Sequence, residues 1–420
     1  MSKLSKKLSG EEITVAKNYG ALTVLQALNY ILPFLIIPFL ERNLGLERFG
    51  LVMLAQYLMA FCIAFADFGF STTATREISL IKEGKGDYSI IYFKVFWARM
   101  ILLIAVFILL CVFVFAIPRF RVEWHIYLLS YGVVIGQTIL ADWFFQGIER
   151  MQLLTIINAV AKILFTVLLF VFISSPEDYS YVPLFNSIGF LVAGITMFTI
   201  SLNYVSWQWP NFKDSKEFYK ESFQIFISDI SSQLTFAANG LVLGLFVGDS
   251  VVGIFSAFDR LMIAAKKMYL PFYQAMYPYM SRKNLLQKNK MMKKLIPSIL
   301  AIGLVGLLGI VFLGGWVVDF LFKDPEIYNN VNLLQWMGLI AFFTGLTLLF
   351  TNLYAPSRKL FKDRMNVMVI GTIFNLALGF SIVPYLGLQG TVITAICTEF
   401  VMLLMAIYFY YKDLKQISKT

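Results

Sequence analysis

The stretch IYFKVFWARMILLIAVFILLCVFVFAI, residues 91–117, decides how the rest of the chain is read. From position 101 onward it carries no charged side chain. A helix needs about 20 such residues, at about 1.5 Å each, to cross roughly 30 Å of hydrocarbon. Eleven further stretches are long and predominantly apolar: 19–40, 50–72, 125–147, 153–174, 182–204, 219–247, 252–280, 295–320, 332–354, 365–384 and 390–411. The pattern predicts an all-α integral membrane protein with twelve transmembrane helices joined by short loops. Several stretches exceed the minimum length, so tilt or extension beyond the bilayer is expected.

Composition supports this reading. Of 420 residues, 59% are hydrophobic and only 14% charged, too few charges for a soluble chain of that length. Twelve spans leave no segment long enough for a soluble catalytic domain. The net charge of +10 could suggest a nucleic acid partner, but its distribution excludes one. With the N-terminus in the cytoplasm, 24 Lys and Arg fall on the cytoplasmic side and 5 on the other. This positive-inside bias places both termini in the cytoplasm. Trp124, Trp316 and Trp336 fall near outer boundaries, and Trp97, Trp143, Trp207 and Trp209 near inner ones, as an aromatic belt would. Cys62, Cys111 and Cys397 lie in three different spans without metal-ligand spacing and read as packing residues. The single histidine, His125, opens the fourth span and reads as structural. No metal or cofactor is expected. The basic N-terminus leads into a full span with no cleavage site, so it reads as a first helix.

Twelve spans divide into an N-terminal lobe (1–210) and a C-terminal lobe (211–420). Both begin in the cytoplasm, which permits a pseudo-two-fold along the membrane normal. The dividing loop is polar and aromatic and carries Pro210. Gly45 and Gly50, followed by Leu58, recur in the second half as Gly248 and Gly253, followed by Leu261. Pro33 and Pro38 interrupt the first span and Pro271 and Pro278 the eighth, either as packing bends or as hinges. Gly240, Gly244 and Gly248 form a small-residue stripe, as do Gly132 and Gly136, which points to close helix contact.

No P-loop, nucleophile elbow or zinc-binding helix motif is present. What remains is ionisable residues within spans, each costing about 2.5–3.5 kcal/mol unless it faces a partner or a cavity. The strongest cluster is Asp259, Arg260, Lys266 and Lys267 on the eighth span. Seven residues are nearly two turns, so Arg260 and Lys267 share one face and Asp259 and Lys266 a neighbouring one. One acid cannot neutralise three bases. The surplus must face water, an anionic ligand or acids on other helices, unless the lysines snorkel to the headgroups. Lys162 lies inside the fifth span, Asp67, Arg76 and Arg99 toward the cytoplasmic side of the second and third, Asp142 near the end of the fourth, and Glu399 within the twelfth. Gln26, Asn29, Asn158, Asn186, Asn239 and Asn375 add polar groups. These residues either pair to hold the halves together or line a net-cationic cavity suited to an anion such as phosphate.

Local motifs narrow the choice. Ala141-Asp-Trp-Phe-Phe-Gln-Gly-Ile-Glu-Arg-Met151 resembles the signature closing the fourth helix of Wzx-type O-antigen flippases. Pro38 to Gly50, Asp67 to Ile78, and Val252 to Leu261 followed by Tyr277-Pro278 are similar to the same family in order and spacing. The resemblance covers nearly the whole chain and implies the multidrug/oligosaccharidyl-lipid/polysaccharide exporter superfamily. It implies two lobes opening alternately, and translocation of an undecaprenyl-pyrophosphate-linked oligosaccharide to the periplasmic leaflet of the bacterial inner membrane. Substrate-binding candidates are Arg260 and Arg76, which align with family motifs, together with Arg99 and with Lys267, Lys266 and Lys162, which rest on charge reasoning alone. Asp67, Asp142, Asp259 and Glu399 are candidates for charge pairing or ion coupling. Membrane lipids, a polysaccharide polymerase and a chain-length regulator are the expected partners. Two alternatives remain open: an ion-coupled drug or metabolite exporter of the same superfamily, which would favour carboxylates over lysines, and a non-transporting assembly scaffold.

Overall fold

The computed structural model describes residues 10–84, 86–209 and 216–417, and every regular element among them is helical. Pro210, the boundary between 210 and 211, and both chain ends lie outside the described residues, as do the side chains of Gln26, Asn29 and Pro278.

Among the described residues, eight helical stretches are long and apolar enough to cross a membrane, making this a multi-pass membrane protein: Ile31–Asp67, Ser89–Ala116, Trp124–Gly147, Met151–Phe172, Pro176–Ser201, Leu285–Leu321, Val331–Ser357 and Phe361–Lys415. Two of these hold two expected spans each. Gly45 (φ 72°, ψ 165°) breaks the first and Gly387 (φ 54°, ψ −125°) the last, at conformations only glycine adopts at low cost. The expected seventh and eighth spans are helical but more polar. Among the described residues of Lys216–Phe246, a short apolar run stands out, Ala237–Phe246. The eighth divides into Asp249–Lys267 and Leu270–Ser281, with Pro271 in the first turn of the second piece, where its missing N–H costs nothing. Pro33 and Pro38 stand inside a helix.

The chain forms two compact units. One comprises 1–39 and 59–226, the other 40–58 and 227–420. In the first, Trp124–Ile139 and Tyr181–Ser201 pack backbone to backbone. A Cβ on Gly136 would lie 2.4 Å from the Phe190 carbonyl carbon, and one on Gly194 would lie 2.5 Å from the Gly136 oxygen. Ser187 donates to the Leu129 carbonyl at 2.6 Å beside Gly132. Small residues here permit van der Waals contact that lipid cannot outcompete. Gly136→Val should therefore separate these helices, at a cost of about 1–3 kcal/mol typical of overpacking. Thermal unfolding in detergent should show a clear loss against Ile195→Ala, an exposed control. Equal stability of the two would refute the close-contact account.

The tryptophan motif is core rather than boundary. Trp143 was expected in the inner aromatic belt, yet it is 2% exposed and packs against Tyr92 and Phe144. Trp143, Phe144 and Phe145 fill the cluster that joins Phe70–Gly84 to Ser89–Ala116. Thr75 donates to the Trp143 carbonyl at 3.1 Å, and Gly147 leaves room for Ile78. Trp124, Trp316, Trp336, Trp207 and Trp209 remain exposed as a belt requires.

Candidate functional site

In the first unit, the break at Gly69 (φ 74°) ends the helix bearing Asp67 and starts the one bearing Arg76. Arg99 is 5% exposed; its Nη2 lies 3.3 Å from Asp67 and donates to the Gln137 carbonyl at 3.1 Å. Its Nε and Nη1 have no hydrogen-bond partner among the described residues. Asp142 faces the charges of Arg99 and Asp67, and accepts from its neighbour's backbone N–H, that of Trp143, at 2.8 Å. Ser71 also donates to Asp67. Two acids thus surround one base, and this cluster carries no positive surplus. Arg76 is placed differently. It is exposed and engages Glu77 and Glu221, which push its guanidinium pKa further up. Lys162 is half-buried on Met151–Phe172, apart from Arg76 in sequence and in helix.

The second unit holds the more developed site. Asp259 and Lys266 line one small cavity, as their expected common face requires. Tyr57 donates to Asp259 at 3.1 Å and lies 3.2 Å from Ser256. Lys266 donates to Glu399 at 2.5 Å, so an acid from another helix takes part of the surplus. On Asp249–Lys267 alone the ledger of Asp259, Arg260, Lys266 and Lys267 is +2; Glu399 reduces it to +1. The cavity wall continues through Asn239, Asn375, Thr235 and Thr398. Asn375 donates to Asn239 at 3.1 Å and to Thr398 at 2.9 Å. About 70 Å³ is open inside, enough for a few waters, and far too little for a sugar chain.

Arg260 points to the neighbouring face, where its Nη2 donates to Gln56 at 2.9 Å and its Nε has no partner among the described residues. Lys267 is half-buried two turns along. Tyr57, Gln56 and Ser256 were not anticipated from the sequence. Gln56 is an amide within an apolar span and could have been flagged as one; Tyr57 and Ser256 carry no such signal. No group of three or more metal-binding side chains occurs among the described residues. His125 lies 3.3 Å from the Tyr179 hydroxyl and 3.6 Å from Glu123, a local surface network.

The sequence matches the family model described as "Polysaccharide biosynthesis protein" over residues 15–284. A protein of Escherichia coli (strain K12) named "Putative O-antigen transporter" is 25% identical, over 93% of this chain and 95% of its own length. Among solved structures, an inward-facing multidrug resistance MATE family transporter of the MOP superfamily superposes with a TM-score of 0.75 at 14% identity, covering 96% of this chain and 99% of that one. The lipid II flippase MurJ, in an inward closed conformation, gives 0.70 at 14% identity, covering 93% and 87%. At these identities the structural likeness speaks for the fold alone.

Proposed function

Because the chain belongs to the polysaccharide biosynthesis protein family, as a Wzx-type member, we propose that it is a flippase for a lipid-linked oligosaccharide. Its substrate is an O-antigen or related repeat unit on undecaprenyl pyrophosphate, moved from the cytoplasmic to the periplasmic leaflet of the bacterial inner membrane. The observation that carries this reading is the full-length relationship to the O-antigen transporter relative. The activity is transport without covalent chemistry. Twelve helices in two lobes, 1–210 and 211–420, with both termini cytoplasmic, open alternately to the two sides. A polymerase and a chain-length regulator would act on the product.

The charged helix Asp249–Lys267 supports an anionic head group. Arg260 has donor capacity to spare beyond Gln56, and a guanidinium binds phosphate oxygens in bidentate fashion. A drug exporter would want a carboxylate free for a cationic ligand. Here Glu399 is engaged by Lys266, and Asp259 accepts from Tyr57, which does not favour that reading.

Deleting the gene in a glycan-producing host should abolish surface glycan and leave lipid-linked repeat units on the cytoplasmic face. Arg260→Ala should lower export at least tenfold with the protein still in the membrane, and Arg260→Lys should recover part of it. Normal glycan in the deletion strain would overturn the assignment. Normal export by Arg260→Ala would remove the head-group role from this residue.

A further inference from the structure

On the outer side, in the orientation given above, Glu41 and Arg42 lie near the end of the first helix, before its break at Gly45. Both reach the segment that closes Leu285–Leu321, and all of these residues belong to the second unit. Arg42 is exposed, and its Nη2 donates to the carbonyls of Leu321 at 2.5 Å and Phe320 at 3.4 Å. The last four carbonyls of a helix have no partner within it, and a cation there meets the negative end of the helix dipole. Arg42 therefore acts as a cap.

Glu41 has no such role. It is 3% exposed, and its Oε2 has no hydrogen-bond partner among the described residues. The side chain within hydrogen-bonding reach of it is Asp324, a second carboxyl group. Two carboxylates present acceptors only, so a proton must bridge them. The surroundings of Asp324 decide where that proton resides. Its Oδ1 accepts from the backbone N–H groups of Glu326 at 2.8 Å and Ile327 at 3.0 Å, bonds that favour the ionised form. The negative charge stays on half-buried Asp324, and Glu41, the more deeply buried of the two, holds the proton and donates it. The charges acting on Glu41 are those of Asp324 and Arg42. Asp319, Lys323 and Glu326 stand on or beside the segment that carries Asp324, and Asp249 opens the helix packed on Pro325–Asn329. Arg42 already serves two carbonyls. Ionising Glu41 would set two anions against each other with no added counter-charge.

We propose that Glu41 is a proton-binding site that latches the outer side of the protein. With the proton bound, the Glu41 O–H donates to Asp324 and holds the first helix to the loop after Leu321. When the proton leaves to the outer water, the electron pair of that O–H bond stays on Glu41 and the two carboxylates repel. The latch joins 1–210 to 211–420, so the proposal rests on the alternating-access flippase reading above. A bound proton keeps the outer side shut while substrate is taken up from the cytoplasmic leaflet. The latched state holds one more proton than the open one, so it is favoured at low pH and lost as pH rises.

The test uses the full-length protein in nanodiscs, without its three native cysteines, spin-labelled at Glu47→Cys and Tyr328→Cys; both positions are exposed. Distance distributions between the labels need no substrate. The short-distance population should fall at least threefold as pH is raised from about 5 to about 9. Glu41→Gln keeps a donor toward Asp324 but cannot ionise, so its distribution should stay short throughout. Asp324→Asn keeps the cap acceptor and removes the repelling charge, so it too should lose the pH response, which keeps the test decisive if one variant is poorly made. A parent protein that ignores pH, or a response that persists in both variants, would overturn the proposal. So would dependence on sodium in place of pH, read by exchanging sodium for choline at fixed pH, because the ligand would then be a metal cation. Export in cells separates the two readings: if only the latch is wrong, gene deletion still stops export, whereas normal export in the deletion strain removes the flippase reading and leaves the proton site measurable.

Discussion

Glu399→Gln is expected to lower glycan export more than tenfold and to destabilise the protein by about 3 kcal/mol. Glu399 is 8% exposed and accepts from Lys266 at 2.5 Å. Glutamine keeps the shape but removes the charge that the ammonium is bonded to, leaving it the more distant charge of Asp259. Removing one partner of a buried pair costs about 3–5 kcal/mol, and the Lys266 side chain, 31% exposed, puts this pair at the low end of that range. A second substitution separates structure from transport. Lys266→Met in the Glu399→Gln background removes the stranded charge, so thermal stability in detergent should recover. Export should not, because the charged helix has then lost one of its three cations. Recovery of both would mean that the pair is a structural brace and that Lys266 takes no part in substrate handling.

How much of this site was legible in the sequence depends on distance along the chain. The all-helical, multi-pass character was legible because hydropathy is local, although the seventh and eighth expected spans do not qualify as membrane-crossing among the described residues. The cluster on Asp249–Lys267 was legible because helical spacing alone puts Asp259 and Lys266 on one face, and both line one cavity. Glu399 was visible as an intramembrane acid, but its pairing with Lys266 was not, since nothing local joins residues 133 positions apart. Trp143 misled for a related reason. An indole near a predicted boundary reads as a belt residue, whereas tertiary packing buries it against Tyr92.

The glycines that matched across the two halves carry the other large expected effect. Gly45 and Gly248 both hold positive φ, at 72° and 139°. Five residues on from each, Gly50 and Gly253 meet the other hairpin reciprocally. A Cβ on Gly50 would lie 1.8 Å from the Asp249 carbonyl oxygen, and one on Gly253 would lie 2.6 Å from that of Leu46. Asp249 follows Gly248 as Leu46 follows Gly45, so each hairpin offers the other the same surface, as a two-fold interface does. Leu54 against Gly244 and Tyr57 against Gly240 extend the seam. Backbone cannot yield to a side chain at 1.8 Å, so Gly50→Leu must part the hairpins. If they meet and separate during transport, the variant should be trapped apart: present in the membrane at normal level, yet with export reduced more than tenfold. Val252 reports the change directly, being fully buried beside the contact. In a background without the three native cysteines, Val252→Cys should resist a membrane-impermeant maleimide, and react with it once Gly50→Leu is added. Gly253→Leu should behave alike, because the contact is reciprocal. Normal export through either leucine variant would mean that closure of this seam is no part of the transport cycle.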